Sequence, residues 1–206
     1  MAAGAVLAAG LMLTLSKPAR ADSIELMAGN NKATMDLKAS APLTDRLGVF
    51  IRARPSVDYK GAIDSFALAD LAINLKGGLD AVAEVQAFGG TAVPRAGIQH
   101  FVSKGAFSLY SLATIGTDKS PYLEMLASLE FSPAIYKALC LIAKAEAVTD
   151  TGSGGHVFSR QSPRLGLGLN GWAAGAAADL AEIGNHPKSG DGTFSWNVGG
   201  FIAKRF

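Results

Sequence analysis

The chain has 206 residues, 49% of them apolar and 17% charged, with a net charge of +2. That charged fraction lies below the roughly 25% usual for soluble domains, and no basic run or aromatic-basic stripe offers a nucleic-acid surface. Beyond the first residues no stretch approaches the roughly 20 consecutive apolar residues of a membrane-spanning helix, so entry into a bilayer has to be by strands.

An apolar run from Ala5 to Leu15, then Lys17, Pro18 and the small-x-small sequence Ala19, Arg20, Ala21, reads as an export signal with cleavage before Asp22. No Lys or Arg follows Met1, where such signals carry positive charge. Residues 22–206 then form a single domain. The lone Cys140 excludes an intrachain disulfide and thiolate metal clusters, and no metal or cofactor is expected.

After the signal the chain breaks into segments of alternating apolar and polar residues separated by turn-formers, the period-two signature of strands with two different environments. Ala33, Met35, Leu37 and Ala39 oppose Lys32, Thr34, Asp36, Lys38 and Ser40; Leu47, Val49, Ile51 and Ala53 oppose Arg46, Arg52 and Arg54; Leu79, Ala81, Ala83, Val85 and Ala87 oppose Asp80, Glu84 and Gln86. Strands are predicted near 22–28, 32–40, 46–54, 62–75, 78–88, 95–103, 105–114, 121–131, 138–148, 157–169, 172–183 and 193–206. This is an all-β pattern, a transmembrane antiparallel up-and-down β-barrel of about twelve strands, with both termini on one side. Without a turn at Gly29 to Asn31 the first two strands merge; ten is the next choice. Short turns are expected at Lys76 to Gly78, Ser103 to Gly105 and Asn170 to Gly171, and longer external loops at Thr149 to His156 and Gly184 to Gly192.

Aromatic residues fall where a membrane interface would want them: Phe107, Phe131, Trp172 and Phe206 at one end of their strands, Phe194 and Trp196 at the other. The competing pattern is helical. Pro121 to Glu130 and Tyr136 to Ala147 are rich in Leu, Ala, Glu and Lys, and Ala173 to Glu182 in alanine, which would suit a soluble periplasmic α+β or lipocalin-like binding fold.

The final segment carries apolar or glycine residues at Phe194, Trp196, Val198, Gly200 and Ile202 and ends in Phe206. It resembles the C-terminal strand of bacterial outer-membrane β-barrel proteins. The resemblance implies a Gram-negative outer-membrane location, the lipid bilayer as surroundings, and Trp196, Val198, Gly200, Ile202 and Phe206 as the signal read by the barrel-assembly machinery. Lys204 departs from the pattern, standing where an apolar or aromatic residue is usual. Its stem can lie along the apolar surface with the ammonium lifted toward headgroups.

Strand parity sends Arg46, Arg52, Arg54, Arg95, Lys144, Arg160 and Arg164 into the interior with Asp36, Asp64, Asp70, Asp80, Glu84, Glu124, Glu130 and Glu146. Ion pairs that satisfy a polar lumen are the plain expectation. Arg46, Arg52 and Arg54 on one face with no acid between them, together with Asp70, Asp80, Glu84, Lys144, Arg160 and Arg164, are the candidates for lumen selectivity. Phe50, Phe66, Phe101 and Phe201 share the inward parity and narrow the lumen. The function expected is a narrow passive channel for small polar or anionic solutes. A filled structural or interaction barrel with partner-binding external loops is the alternative. Catalysis is not expected: His100 has outward parity, His156 and His186 fall in external loops, and no Ser or Asp spacing marks a triad. An outer-membrane lipid-modifying enzyme, the remaining alternative, would require His156 or His186 to meet a Ser and an acid at the outer rim.

Overall fold

The computed structural model describes residues 20–117, 121–184 and 192–206, and every regular element among them is a strand. In chain order they are β1 Arg20–Gly29, β2 Lys32–Pro42, β3 Leu47–Asp58, β4 Ile63–Lys76, β5 Leu79–Phe88, β6 Thr91–Lys104, β7 Phe107–Gly116, β8 Leu123–Phe131, β9 Ala134–Tyr136, β10 Leu139–Gly152, β11 Gly155–Leu169, β12 Trp172–Ile183 and β13 Thr193–Arg205. Neighbours in sequence pair antiparallel, β10 pairs with both β8 and β11, and β1 pairs with β13 from Ser23↔Arg205 to Gly29↔Gly199. The sheet therefore closes into a barrel of twelve staves, with the three-residue β9 attached to β10 as an extra. The predicted strands, their order and the turn after Gly29 are all present. So are strands where the helical alternative had been open, at 123–131, 139–152 and 172–183.

Closure explains why helix formers accept the extended state. In hydrocarbon a backbone N–H or C=O without a partner costs several kcal/mol, which outweighs helix propensities of at most about 0.7 kcal/mol per ordinary residue. The same constraint inverts the usual distribution of side chains. Outward residues such as Leu167 and Trp196 are 52% and 50% exposed, while the inward Glu84 and Arg95 are 2% exposed. Phe201 meets Met27 and Ala177 in a small apolar cluster on the inner face. Phe101 has the inward parity but lies near the terminal-side rim and is 53% exposed, so it does not help fill the lumen.

The aromatics stand at the two rims. On the side of the termini, Phe107 and Phe131 have ring centroids 5.1 Å apart, and Lys204 holds its ammonium 5.1 Å over the Trp172 ring while donating to the Asn170 carbonyl at 3.1 Å. Lys204 thus fits the interface as expected of a long amphipathic side chain. Phe194 and Trp196, at the start of β13, are exposed near the opposite rim.

Loop lengths depart from expectation. Asn170 and Gly171 do make a tight turn, with φ of 50° and 80° as a two-residue hairpin requires. The expected external loop from Thr149 to His156, however, is strand: the ladder continues through Thr151↔His156 and Gly152↔Gly155, leaving a turn at 153–154. Glycine, Ser and Asp signal a turn, but paired glycines also let two backbones run on side by side. Of the expected export signal, only Arg20 and Ala21 lie within the described residues, at the start of β1.

At Gly97 on β6 a Cβ would collide with the Ala113 carbonyl and stand 2.7 Å from the Thr114 Cα of β7. Gly97→Val should therefore lower stability by about 1–3 kcal/mol, as overpacking does. Unfolding in detergent, followed by loss of heat-modifiable gel mobility, measures it; an unchanged midpoint would contradict the packing described.

Candidate functional site: a lumen crossed by ion pairs

Alternation along β3 turns Arg52 and Arg54 inward, where both are buried. The Arg52 guanidinium donates from Nε to Asp36 Oδ1 at 2.8 Å and from one terminal nitrogen to Asp36 Oδ2 at 2.6 Å and Glu146 Oε1 at 2.8 Å. Asp36 belongs to the adjacent β2, so that half of the contact runs along the wall. Glu146 belongs to β10, which is reached from β3 through β4, β5, β6, β7 and β8 in one direction and through β2, β1, β13, β12 and β11 in the other. The two strands are diametrically opposed, and Arg52–Glu146 spans the lumen. Lys38 Nζ and a terminal nitrogen of Arg160 approach the same carboxylate at 3.5 Å and 3.6 Å.

A second set continues the first toward β12 and β1. Asp179 receives Arg54 at 2.7 Å and Arg164 at 3.1 Å, and Arg164 Nε donates to Glu25 at 2.8 Å. The space left among these side chains is about 10 Å³, about one water by the roughly 10–15 Å³ criterion. On the other wall Arg95 lies 3.3 Å from Glu84, donates to Thr114 Oγ1 at 2.9 Å and stacks 4.4 Å over Tyr122, while Gln86 donates to Glu124 at 2.9 Å. Asp70 pairs in register with Glu84 and is 3% exposed. Arginines thus gather on β3 and β11, and carboxylates on β4, β5, β8 and β10.

Of the candidates read from sequence, Arg52, Arg54, Asp70, Glu84 and Arg164 are buried in the lumen, and Lys144 and Arg160 are half-buried there. Asp80 is half-buried toward the terminal-side rim, where it accepts from Asn74 and Gln99, each at 2.8 Å. Arg46 is a correction. It is exposed in the 43–46 turn, because β3 begins only at Leu47. Arg52 and Arg54 share the inner face of β3 with no acid between them, as expected, and each holds a carboxylate brought by another strand. Glu25, Lys38 and Asp179 were not singled out in the sequence, although their parity matches the inward residues of β1, β2 and β12.

His100 faces outward as expected, and His186 lies outside the described residues. His156 does not lie in a loop: it is in β11, with Nε2 2.6 Å from Ser159 Oγ. Among the described residues no group of three His, Cys, Asp or Glu side chains is arranged to hold a metal.

No protein-family model matches this sequence, and no curated protein matches it either. Solved structures do. A KdgM porin in complex with disordered oligogalacturonate superposes with a TM-score of 0.53 at 8% identity, over 89% of this chain and 99% of that one. The chain has the fold of bacterial outer-membrane β-barrels. LpxR from Salmonella typhimurium gives a TM-score of 0.46 at 11% identity over 89% and 99% of the two chains. OmpT, an outer membrane protein of Vibrio cholerae, in a loop-deletion form, gives 0.38 at 13% over 91% and 97%. With a closed ring of strands, an apolar exterior and aromatic rims, this barrel is built for the outer membrane.

Asp179→Ala removes the acid shared by Arg54 and Arg164 and leaves two buried guanidinium groups facing each other. The expected loss is about 3–5 kcal/mol, the range for breaking a buried pair from one side. Asp80→Ala, at a half-exposed site, should cost no more than about 1 kcal/mol. Denaturant midpoints in detergent compare the two, and equal effects would contradict the burial gradient.

Proposed function

We propose that the protein is a filled barrel, a membrane-spanning scaffold sealed at its waist that meets other molecules at its outer surface. The observation that carries this reading is Arg52 bound at once to Asp36 and, across the lumen, to Glu146. A solute passing the waist would have to displace that guanidinium and leave both carboxylates without their partner, a cost of several kcal/mol. Among the described residues, connections 30–31, 59–62, 89–90 and 153–154 at the rim opposite the termini are short; most of the expected external loop from Gly184 to Gly192 lies outside the described residues.

A narrow path for small anionic solutes is the second reading, and the grouping of Lys38, Lys144, Arg160 and Arg164 around the waist favours it. On that reading the network yields under some stimulus and the basic lining then selects for anions. In planar bilayers the wild-type protein is expected to show no steady conductance, whereas Arg52→Ala with Glu146→Ala, which removes the bridge, should conduct and prefer anions. Steady single-channel openings of the wild type without a stimulus would overturn the filled reading.

The same reading takes residues 1–21 as an export signal and Trp196, Val198, Gly200, Ile202 and Phe206 as the strand offered to the barrel-assembly machinery. Trp196, Val198 and Ile202 are about half exposed on the outer face, and Phe206 is more so. Deleting Phe206 should reduce the heat-modifiable protein recovered from outer membranes several-fold, and undiminished recovery would remove the assembly role.

A further inference from the structure

The outer face carries polar side chains where lipid would be expected to meet only apolar ones. The register of β10 with β11 runs evenly up to Thr149↔Ser159 and Asp150↔Phe158, then slips, so that Thr151 pairs with His156 and Val157 is left over as a bulge. In a regular strand residues three apart point to opposite faces. The bulge brings His156 and Ser159 to the same face. That face is the outer one: Glu146 and Val148 are buried on the inside, so Thr149 between β10's inward residues points out, and Ser159 is its cross-strand partner.

His156 Nε2 stands 2.6 Å from Ser159 Oγ, and Thr149 Oγ1 stands 3.1 Å from the same oxygen. Serine hydroxyl to the Nε2 of a histidine is the contact through which a general base activates a nucleophile. The β12 residue opposite Ser159 is Glu182, whose outward parity places an acid beside the pair. Gln161, two residues along β11, has the same outward parity. Glu182 in turn pairs with Phe194, an exposed aromatic of the rim. The Ser–His pair therefore lies at the level of the aromatic belt, where lipid headgroups meet acyl chains.

From this polar end a groove of about 500 Å³ runs along the outer wall toward β7 and β6. Its size falls within the roughly 300–1,000 Å³ of small-molecule sites. Ala113, Ala127 and Ala147 on successive staves form its floor, with Ile98 and Met125 at its sides. Small side chains between large ones make the trough. It lies on the outward-facing side of the wall, the side that meets lipid.

We propose that Ser159 and His156 form a lipid-facing esterase site that cleaves a fatty-acyl ester of a membrane glycerophospholipid whose acyl chain lies in this groove. Ser159 Oγ attacks the ester carbonyl carbon while its proton passes to His156 Nε2. The carbon–oxygen bond to the glycerol breaks, and the leaving oxygen takes the proton back from His156. A water, deprotonated by His156, then adds to the acyl-serine, releasing the fatty acid and restoring Ser159. Thr149 Oγ1 donates to the Phe158 carbonyl at 3.3 Å, so the donor for the oxyanion is the Gln161 amide, and the Glu182 carboxylate stabilises the imidazolium by its charge. The net reaction is ester plus water to fatty acid plus lysophospholipid, with no cofactor.

The test treats the folded, heat-modifiable protein with a fluorophosphonate probe and locates the adduct by mass spectrometry. In parallel it measures fatty-acid release from mixed micelles of phosphatidylglycerol and detergent. Modification at Ser159 and release are both expected, with both lost in Ser159→Ala and reduced at least tenfold in His156→Gln at unchanged heat-modifiable mobility. No adduct at Ser159 in folded wild-type protein, or release that survives Ser159→Ala, would overturn the proposal. An adduct without release would overturn the assignment of a glycerophospholipid ester. The wild-type adduct alone is decisive, so a variant that fails to fold leaves the test intact.

Discussion

An unpaired peptide group has nowhere to turn in hydrocarbon, and that constraint shapes this molecule from the backbone outward. Twelve antiparallel staves satisfy it by closing on themselves through β1 and β13. Once the ring is closed, alternation along each strand leaves two surfaces of opposite character. The apolar set must face lipid, so the charged set must face inward, and a chain with 36 charged residues, 19 basic and 17 acidic, has to reconcile them inside a barrel. For the arginines, pairing along the wall and across the lumen is the resolution. Each buried guanidinium is held by a carboxylate, since an isolated one would cost several kcal/mol.

The network ties distant parts of the chain together. Arg52 and Glu146 are 94 residues apart, Arg54 and Asp179 125, and Arg164 and Glu25 139. Such contacts form only when the barrel has closed, so they favour the complete ring over a partly paired sheet. They also set the function available to the interior. On the filled reading proposed above, the charges that hold the wall together occupy the path a solute would take, and activity is left to the outer surface.

Period two made the fold legible, because Asp80, Glu84 and Gln86 against Leu79, Ala81, Ala83 and Val85 already state which residues face which medium. The inward set could be read the same way, as Arg52, Arg54, Asp70, Glu84 and Arg164 show. Parity and an up-and-down order of twelve set the strand at 46–54 opposite the one at 138–148 but not the height at which their side chains meet, so Glu146 and Asp179 could not be matched to their arginines from sequence. Nor does it survive a bulge. Ser159 three residues after His156 looks unrelated in a regular strand, and only the slip at Val157 unites them. The Gly, Ser and Asp residues around 150–155 signalled a loop, yet the ladder runs almost to the turn. Arg46 was read one residue too far into β3, where a polar turn residue and a strand residue look alike.

Arg52 and Glu146 meet across the diameter of the barrel and hold it closed. A double-mutant cycle with Arg52→Met, Glu146→Gln and both together, measured by denaturant unfolding in detergent, tests it most directly. A coupling of at least about 1 kcal/mol is expected, within the range of about 0.5–3 kcal/mol for side chains in one ion-pair network. Additive effects, within about 0.3–0.5 kcal/mol as for independent sites, would contradict it.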